Sequence, residues 1–482
     1  MELPVTDTRL ESDSLGAVAV PRAAYWGVHT ARALENFSVT GDRIGNYPAL
    51  IVALASVKLA ACRANRELGV LDDRRAAAIE SACAEIRAGE LHDQFPIDPI
   101  QGGAGTSTNM NVNEVIANRA LELLGHARGN YGELDPLDHV NLGQSTNDVY
   151  PTAVNVAVVR HIRDLVAALH RLADAFEQKA GEFAGVIKMG RTQLQDAVPM
   201  TLGQEFGTFA LMVREDCLRL EEAIPLLCES NLGGTAIGTG INGHPGYSAL
   251  ACAFLSELTG EAVTPAENLI EATQDAGAFV QVSGILKRVA VKLSKTCNDL
   301  RLMSSGPVTG FGEIRLPARQ AGSSIMPGKV NPVIPELVNQ IAFEAIGNDL
   351  TVTMAAEAGQ LQLNAFEPII AYSLLKTTTH LIAAADALAT KCVSGITADQ
   401  EHLEAGVRRS IGIVTALAPH IGYAASAAIA KQALLTGQFV GDIAVELGLL
   451  TPEQVAELLA PHRLAGLPTP VVEGAASVYS VP

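Results

Sequence analysis

Residues 158–176 read Val-Val-Arg-His-Ile-Arg-Asp-Leu-Val-Ala-Ala-Leu-His-Arg-Leu-Ala-Asp-Ala-Phe, and their apolar positions recur at the spacing of a helix. The residues that form this apolar stripe are Val158, Ile162, Leu165, Leu169, Leu172 and Phe176. Their near-heptad spacing places them on one face of a helix about five turns long. A stripe of that length must be buried against other helices, so the stretch predicts a helical bundle.

Four further stretches extend the bundle. Residues 206–224 and 279–300 repeat the near-heptad pattern, and residues 332–350 and 367 to about 388 are predicted to be long helices as well. Aromatic residues make up only 4% of the chain, whereas a β-sandwich depends on aromatic and β-branched pairs. The sequence therefore predicts an all-α fold with a long bundle of five helices.

Smaller, mostly helical domains are expected on either side of the bundle. We place an N-terminal domain at residues 1–142, the five-helix bundle at 143–396 and a small C-terminal helical domain at 397–482. In the last of these, Thr451-Pro-Glu-Gln454 has the pattern of a capping box and predicts a short helix through Leu459. The tail, residues 467–482, contains proline and glycine and is expected to be loose.

The chain is acidic, with 34 Lys and Arg residues against 52 Asp and Glu residues and a formal net charge of −18. A field of that sign repels nucleic acid and anionic membranes, so we expect neither as a partner. The seven cysteines include no Cys-x-x-Cys pair, which favours buried, reduced thiols. No signal peptide and no apolar run of about 18 residues is evident, so we expect a cytoplasmic protein.

The polar segment Gly322-Ser-Ser-Ile-Met-Pro-Gly-Lys-Val-Asn-Pro332 is the strongest candidate for chemistry. A serine hydroxyl needs cationic or amide stabilisation before it can act as a base, and Lys329 and the backbone N–H groups of a flexible loop could supply it. Asn331 adds an amide for a carboxylate or an ammonium group. Composition does not distinguish Ser323 from Ser324, and a mobile surface loop before a helix explains the segment equally well.

Three other segments rich in glycine, hydroxyl and amide side chains precede predicted helices. They are Gly103–Asn111, Gln144–Asp148 and Gly190–Pro199. Each has an ordinary structural explanation, which is helix capping for the first two and a loop with an Arg–Asp pair for the third. A helix N-terminus is also an anion site, however, and four such segments together suit a small dicarboxylate. Without a metal or cofactor motif, the matching chemistry is proton abstraction beside a carboxylate, followed by loss of a β leaving group.

The segment 322–332 resembles the signature of the aspartase/fumarase superfamily. Gln101–Asn113 and Asn141–Thr152 resemble two other conserved regions of that superfamily, and Ala24–Thr30 resembles its N-terminal pattern. The similarity extends from about residue 12 to about residue 460. It implies a homotetramer around a core of twenty helices, five from each subunit, and composite active sites with residues from three subunits.

The resemblance also implies roles for individual residues. Ser323 matches the general base that takes the Cβ proton of the substrate, and Ser324 matches a substrate-binding position. The other positions that match carboxylate- and ammonium-binding residues of the family are Thr106, Ser145, Thr146, Asn147, Thr192, Lys329 and Asn331. The implied intermediate is an enediolate, whose doubly charged carboxylate these hydroxyl and amide groups would hold.

Within the superfamily, the sequence favours deamination of L-aspartate to fumarate. Fumarases usually carry Thr-His where this chain has Thr192-Gln193, so the His–Glu pair that would include Glu336 cannot form. Residues 190–199 and 355–364 also resemble the corresponding segments of aspartases. Hydration of fumarate is the alternative, and a non-catalytic scaffold is a further one. The resemblance implies no required cofactor and no metal ligand; activation by a divalent ion such as Mg²⁺ is not readable from these residues.

Overall fold

The structure is a computed structural model, and it describes residues 7–466. Its helices are α1 (Val28–Asn36), α2 (Pro48–Glu67), α3 (Asp73–Arg87), α4 (Thr106–Leu123), α5 (Thr146–Glu182), α6 (Leu202–Cys228), α7 (Thr235–Gly238), α8 (Tyr247–Thr259), α9 (Leu269–Ala272), α10 (Gly277–Met303), α11 (Val333–Glu357), α12 (Glu367–Lys391), α13 (Gln400–Arg409), α14 (Ala418–Ile421), α15 (Tyr423–Thr436), α16 (Val440–Glu446), α17 (Pro452–Leu458) and α18 (Pro461–Leu464). Its strands are β1 (Thr8–Asp13), β2 (Gly16–Pro21), β3 (Ile187–Thr192), β4 (Gln195–Thr201), β5 (Glu229–Ser230), β6 (Thr264–Pro265), β7 (Ile314–Arg315) and β8 (Thr397–Ala398).

The predicted all-α fold is confirmed, since the five predicted long helices are present as α5, α6, α10, α11 and α12. The stripe that predicted α5 is buried: Leu165 and Phe176, among others, have no exposed surface. The burial of each such side chain contributes about 1.5–3 kcal/mol. In α5 and α6, the rings of Phe176 and Phe209 meet edge to face with their centroids 5.5 Å apart.

Helix α5 begins twelve residues before the predicted stripe and contains a proline in its first turns. Pro151 has no N–H group to bond the carbonyl of Asn147, four residues earlier. The side chain of Asn231 donates a hydrogen bond to that carbonyl at 2.8 Å. The helix therefore continues through Pro151 without an unsatisfied acceptor at this position.

The chain divides into two compact units. The first consists of the described residues of Met1–Ala168, Asp216–Val291 and Ile341–Ala383, and the second of those of Leu169–Glu215, Lys292–Gln340 and Ala384–Pro482. The boundaries between these units fall inside each of the five long helices. The division into three domains at residues 142 and 396 stays a prediction.

The first unit is built around α2, which packs against α3 and α8. Within the described residues, α2 is the one helix long and apolar enough to cross a membrane, but 78% of its most apolar window is buried inside the protein, as in a core helix. In the sequence, Lys58 interrupts the apolar run of α2. An antiparallel hairpin of β1 and β2, which was not predicted, precedes α1.

The second unit contains a hairpin where a polar loop was expected. Strands β3 and β4 pair in antiparallel fashion across residues 187–201, so the expectation of a loop at residues 190–199 was wrong. Ile187 and Met189 of β3 are buried against the short C-terminal helices, in a cluster with Leu417 and Ile443. Ile187 and Met189 are two residues apart and share one face of the strand, so the burial of that face stabilises the strand conformation.

Two smaller predictions are confirmed. Thr451 and Gln454 form the capping box at the start of α17. All seven cysteines are free and buried. The predicted loose tail at residues 467–482 lies outside the described residues.

Candidate active site

In the first unit, the N-terminus of α5 presents Ser145, Thr146 and Asn147. The hydroxyl oxygen of Ser145 accepts a hydrogen bond from the N–H of Asn147 at 3.3 Å, and Asp148 Oδ1 accepts one from the N–H of Ser145 at 2.9 Å. This is a reciprocal cap with Asp in place of the usual Glu, so the capping interpretation of the segment is confirmed. The same helix end keeps the positive dipole that favours an anion.

The first turns of α4 lie beside this helix end. Asn109 donates from its amide nitrogen to Thr146 Oγ1 at 3.1 Å and to Asn141 Oδ1 at 3.2 Å. Thr106, the exposed first residue of α4, donates its hydroxyl to the carbonyl of Gly103 at 2.7 Å. The structure thus brings two of the segments singled out in the sequence to one place in the first unit.

Gly105 allows the start of α4 to lie close to α5. Its φ is +88°, and a Cβ atom there would lie 2.5 Å from the ring of Tyr150 in α5. No other residue type fits such a position without strain. A glycine immediately before Thr106 therefore sets how closely α4 starts against α5.

A buried pair of charges supports the helix end. Lys58 of α2 is fully buried, and its ammonium group donates to Asn141 Oδ1 and to Gln144 Oε1, both at 2.9 Å. Burial lowers the pKa of Lys58 to about 7, although the carboxylate of Asp148 opposes this shift. Burial also raises the pKa of Asp148 to about 6, against the opposing N–H groups of Ser145 and Gly233 and the charge of Lys58. The sequence patterns did not point to Lys58, and they explained Asp148 by capping alone.

A strained glycine-rich turn contacts Asn147. The side-chain amide of Asn147 donates a hydrogen bond to the carbonyl of Ala236 at 2.7 Å. Ala236 has a φ of +49° and its neighbour Thr235 a φ of +37°, in the left-handed region that disfavours both residues. Backbone strain of this kind persists where the surroundings enforce it and is frequent at functional sites.

A small cavity of about 200 Å³ is lined by Thr106, Ser107, His29 and Arg32, among others. Arg32 is held by two hydrogen bonds, both 2.8 Å long, to the carboxylate of Asp13. A guanidinium group therefore lies beside the start of α4, paired with a carboxylate that lines the same cavity. The Ala24–Thr30 pattern pointed to this region without giving Arg32 a role.

In the second unit, residues 322–331 form a loop that closes on itself. The N–H of Gly322 donates to the carbonyl of Lys329 at 2.8 Å, and the side-chain amide of Asn331 donates to the carbonyl of Gly322 at 2.9 Å. A Cβ atom at Gly322 would lie 2.5 Å from the carbonyl oxygen of Lys329. Asn331 therefore holds the loop, and Lys329 extends from it with its side chain exposed.

The loop distinguishes its two serines. Ser323 Oγ accepts hydrogen bonds from the N–H groups of Ile325 at 3.2 Å and of Met326 at 3.0 Å. Two N–H donors stabilise the alkoxide form of that hydroxyl more than the neutral form. Ser324 is exposed and shows no such contact in the part of the chain that the structure describes. The geometry thus makes the distinction that composition could not make.

Thr192 lies at the tip of the β3–β4 hairpin. The two turn residues, Gln193 and Leu194, have φ angles of +53° and +62°, an arrangement that normally selects Asn and Gly. The preceding Arg191 pairs with Glu313 and stacks on the ring of Phe311, while its nearest approach to Asp196 is 3.9 Å. The expected Arg–Asp pair is therefore the weaker of its two ionic contacts.

The structure groups the predicted residues into two sets. Thr106, Ser145, Thr146 and Asn147 lie in the first unit, and Thr192, Ser323, Ser324, Lys329 and Asn331 lie in the second. Among residues 7–466, no hydrogen bond or ion pair joins Thr192 to the loop of Ser323. Each set supplies hydroxyl and amide groups, and Lys329 is the predicted cation.

Two family models match the chain. The model described as "Lyase" matches residues 16–347, and the model described as "Fumarase C C-terminus" matches residues 413–466. Together they cover every predicted site residue and most of the described C-terminal helices.

Curated relatives match over nearly the full length. The aspartate ammonia-lyase of Helicobacter pylori is 57% identical over 456 residues, which are 95% of this chain and 97% of the relative. That of Pseudomonas aeruginosa is 57% identical over 462 residues, 96% of this chain and 98% of the relative. That of Escherichia coli is 52% identical over 457 residues, 95% and 96% of the two chains.

Solved structures of lyases are also similar to this chain. A fumarate lyase:delta crystallin from Brucella melitensis, bound to cobalt, is 57% identical with a TM-score of 0.93, over 95% of this chain and 99% of that one. A class II fumarase from Schistosoma mansoni is 38% identical with a TM-score of 0.89, also over 95% and 99% of the two chains.

Proposed function

The chain belongs to the lyase family whose model it matches, and from this premise we propose that it removes ammonia from L-aspartate to give fumarate. The relatives that are 52–57% identical are aspartate ammonia-lyases, whereas the fumarase neighbour is 38% identical. Gln193 stands where a fumarase would carry histidine and cannot supply an imidazole. Both observations favour a carbon–nitrogen lyase over a hydratase.

The observation that carries the proposed mechanism is the pair of N–H groups on Ser323 Oγ. As an alkoxide, Ser323 takes the Cβ proton of L-aspartate, and the electron pair of that C–H bond passes into the adjacent carboxylate as an enediolate. The electrons then return to form the Cα–Cβ double bond, while the Cα–N bond breaks and its electron pair leaves with ammonia. Fumarate and ammonia are the products, and the proton ends on Ser323.

The remaining predicted residues bind the two carboxylates and the ammonium group. The hydroxyls of Ser145 and Thr146 lie at the start of α5, where the helix dipole stabilises a dianionic carboxylate. Lys329 supplies a positive charge that offsets both the intermediate and the net charge of −18. Thr106, Asn147, Thr192, Ser324 and Asn331 are proposed to complete the pocket. The mechanism assigns no step to a cofactor or a metal ion.

We propose that the active sites are composite and form in a homotetramer. Helix α11 exposes an apolar stripe of four residues, Phe343, Ile346, Leu350 and Met354, which recur at intervals of three, four and four. Phe343 and Met354 are each 63% exposed. A contiguous apolar surface of this kind is unusual on a monomer and is typical of a surface that another subunit covers. Burial of this stripe against other subunits would complete the helical core.

The experiment that tests the activity is the formation of fumarate, followed by its ultraviolet absorbance, from L-aspartate and in parallel from L-malate. We expect absorbance to rise with L-aspartate alone. A rise with L-malate alone would mean a hydratase that works without a histidine at position 193. Absence of product from both substrates would contradict the proposal and favour a scaffold.

A further inference from the structure

Glu367, the first residue of α12, carries a buried carboxyl group without a partner. The residue is only 6% exposed, and its Oε2 atom has no hydrogen bond to any residue that the structure describes. Burial by itself raises the pKa of Glu367 well above its usual range, and a positively charged ligand beside the carboxyl group would oppose that shift. An isolated carboxylate in such a place is strongly destabilising unless something compensates its charge.

The carboxyl group lines a cavity of about 310 Å³ in the first unit. Asn155 of α5 lines the same cavity, and its side-chain oxygen is also buried without a partner in the described chain. Both atoms are hydrogen-bond acceptors when Glu367 is ionised. Buried acceptors normally have donors, so two orphaned acceptors on one cavity indicate a ligand that donates or carries positive charge.

The charges around the cavity have one sign. Its other ionisable lining residues are Glu229, Glu271 and Asp275, all exposed to solvent. No lysine, arginine or histidine lines it among residues 7–466. A concave surface with only acidic side chains raises the local concentration of cations.

We propose that this cavity binds a small monovalent cation of the ammonium and potassium class, held by Glu367 and Asn155. A divalent metal ion fits less well, because the described residues contain no group of three or more His, Cys, Asp or Glu side chains close enough to hold one. Ammonium and potassium accept looser arrangements of oxygen atoms at ordinary hydrogen-bond distances. The site uses none of the residues of the proposed mechanism, so the cation site and the proposed function can be tested separately.

The test is the melting temperature of the full-length protein in increasing NH4Cl or KCl, compared with equal concentrations of tetramethylammonium chloride. A cation that binds the folded state raises the melting temperature by mass action. The methyl groups of tetramethylammonium donate no hydrogen bond and keep its charge away from the oxygen atoms of Glu367 and Asn155. We expect a saturable rise with NH4Cl and KCl beyond that with the bulky salt. A series at equal ionic strength with MgCl2 separates monovalent from divalent binding.

Glu367→Gln keeps the shape of the side chain and removes its charge. We expect it to raise the concentration of NH4Cl needed for half the effect by at least about tenfold, because a charged acceptor is lost. Glu401→Gln, at an exposed position in α13, is the matched control and should keep the wild-type response. If Glu367→Gln does not fold, Asn155→Leu serves as the second variant and should weaken the response in the same direction.

Three results would overturn the proposal. Equal responses of the wild type to NH4Cl and to tetramethylammonium chloride would show that the cavity holds no such cation, for instance because a side chain of a second copy fills it. An unchanged response in Glu367→Gln would place the binding site elsewhere. A response to MgCl2 without one to NH4Cl would replace the monovalent cation by a divalent one.

Discussion

The ammonium group of Lys58 lies 2.9 Å from the side-chain oxygen of Asn141, eighty-three residues further along the chain. The same oxygen accepts hydrogen bonds from the amide groups of Asn109 at 3.2 Å and Asn113 at 3.1 Å. Asn109 in turn donates to Thr146 at the start of α5. A single buried cation therefore anchors a network of amides that ends at a predicted substrate-binding hydroxyl.

Lys58→Met tests the importance of this anchor for stability. The substitution keeps the apolar stem but leaves Asp148 and two amide oxygens buried without their cation. Removing one member of a buried charge pair costs about 3–5 kcal/mol, so we expect a clear fall in the free energy of unfolding. Urea unfolding measures it, with Lys431→Met at an exposed position of α15 as the control. Equal stability of the two variants would show that the charges of Lys58 and Asp148 do not stabilise each other in the folded protein.

Gly105→Ala tests the close approach of α4 and α5. Alanine at a φ of +88° costs about 1–2 kcal/mol in backbone strain. Its Cβ atom would also lie 2.5 Å from the ring of Tyr150, and overpacking of this kind adds about 1–3 kcal/mol. Gly125→Ala is the matched control, since Gly125 has a φ of +83° and no atom within 4 Å of its Cβ position. Thermal unfolding should show the larger loss for Gly105→Ala, and similar losses would mean that Tyr150 moves aside freely.

Asp13→Asn tests the ion pair that holds Arg32. Hydrogen bonds from Arg32 lower the pKa of Asp13 from 3.8 to about 2. Because the folded-state pKa is the lower one, this pair contributes stability above about pH 3.8 that is lost as the pH falls towards 2. The stability difference between wild type and Asp13→Asn should therefore shrink across that window in urea unfolding at several pH values. Asp442→Asn, at an exposed position without an ion pair among the described residues, is the control for removing a carboxylate and is measured in the same way.

The fold was predictable where one pattern ran over many residues. The stripe from Val158 to Phe176 repeats for five turns, so its helix and its buried face both followed from spacing. The hairpin at residues 187–201 did not follow, because its strands are short and its turn, Gln193-Leu194, lacks the Asn-Gly pair that marks such turns. Its reason to form lies in the C-terminal helices that cover Ile187, a contact between residues far apart in sequence.

The sequence predicted the residue types of a candidate site but not their contacts. Hydroxyl and amide segments before helices pointed to a dicarboxylate, yet only the resemblance chose Ser323 over Ser324. The two N–H groups that distinguish Ser323 come from the path of the loop backbone, which no spacing rule specifies. Lys58 was missed for a similar reason, since a lysine in an apolar helix shows nothing of the Asn141 side chain it will meet.

Ser323→Ala tests the proposed base. Loss of a general base typically lowers turnover by a factor of about 10²–10⁴, so we expect kcat for L-aspartate to fall within that range. The loop is largely exposed, and the free energy of unfolding should change by less than about 0.5 kcal/mol.

Ser324→Ala is the matched control, because it removes the same atom one residue along the same loop. If Ser323 is the base, kcat should fall far less in Ser324→Ala than in Ser323→Ala, since the hydroxyl of Ser324 accepts no backbone N–H groups in the described structure. Any effect of Ser324→Ala should then appear mainly in KM, as expected for a binding residue. The reverse order, with kcat lost in Ser324→Ala and kept in Ser323→Ala, would mean that the two N–H groups only shape the loop and that the base is Ser324.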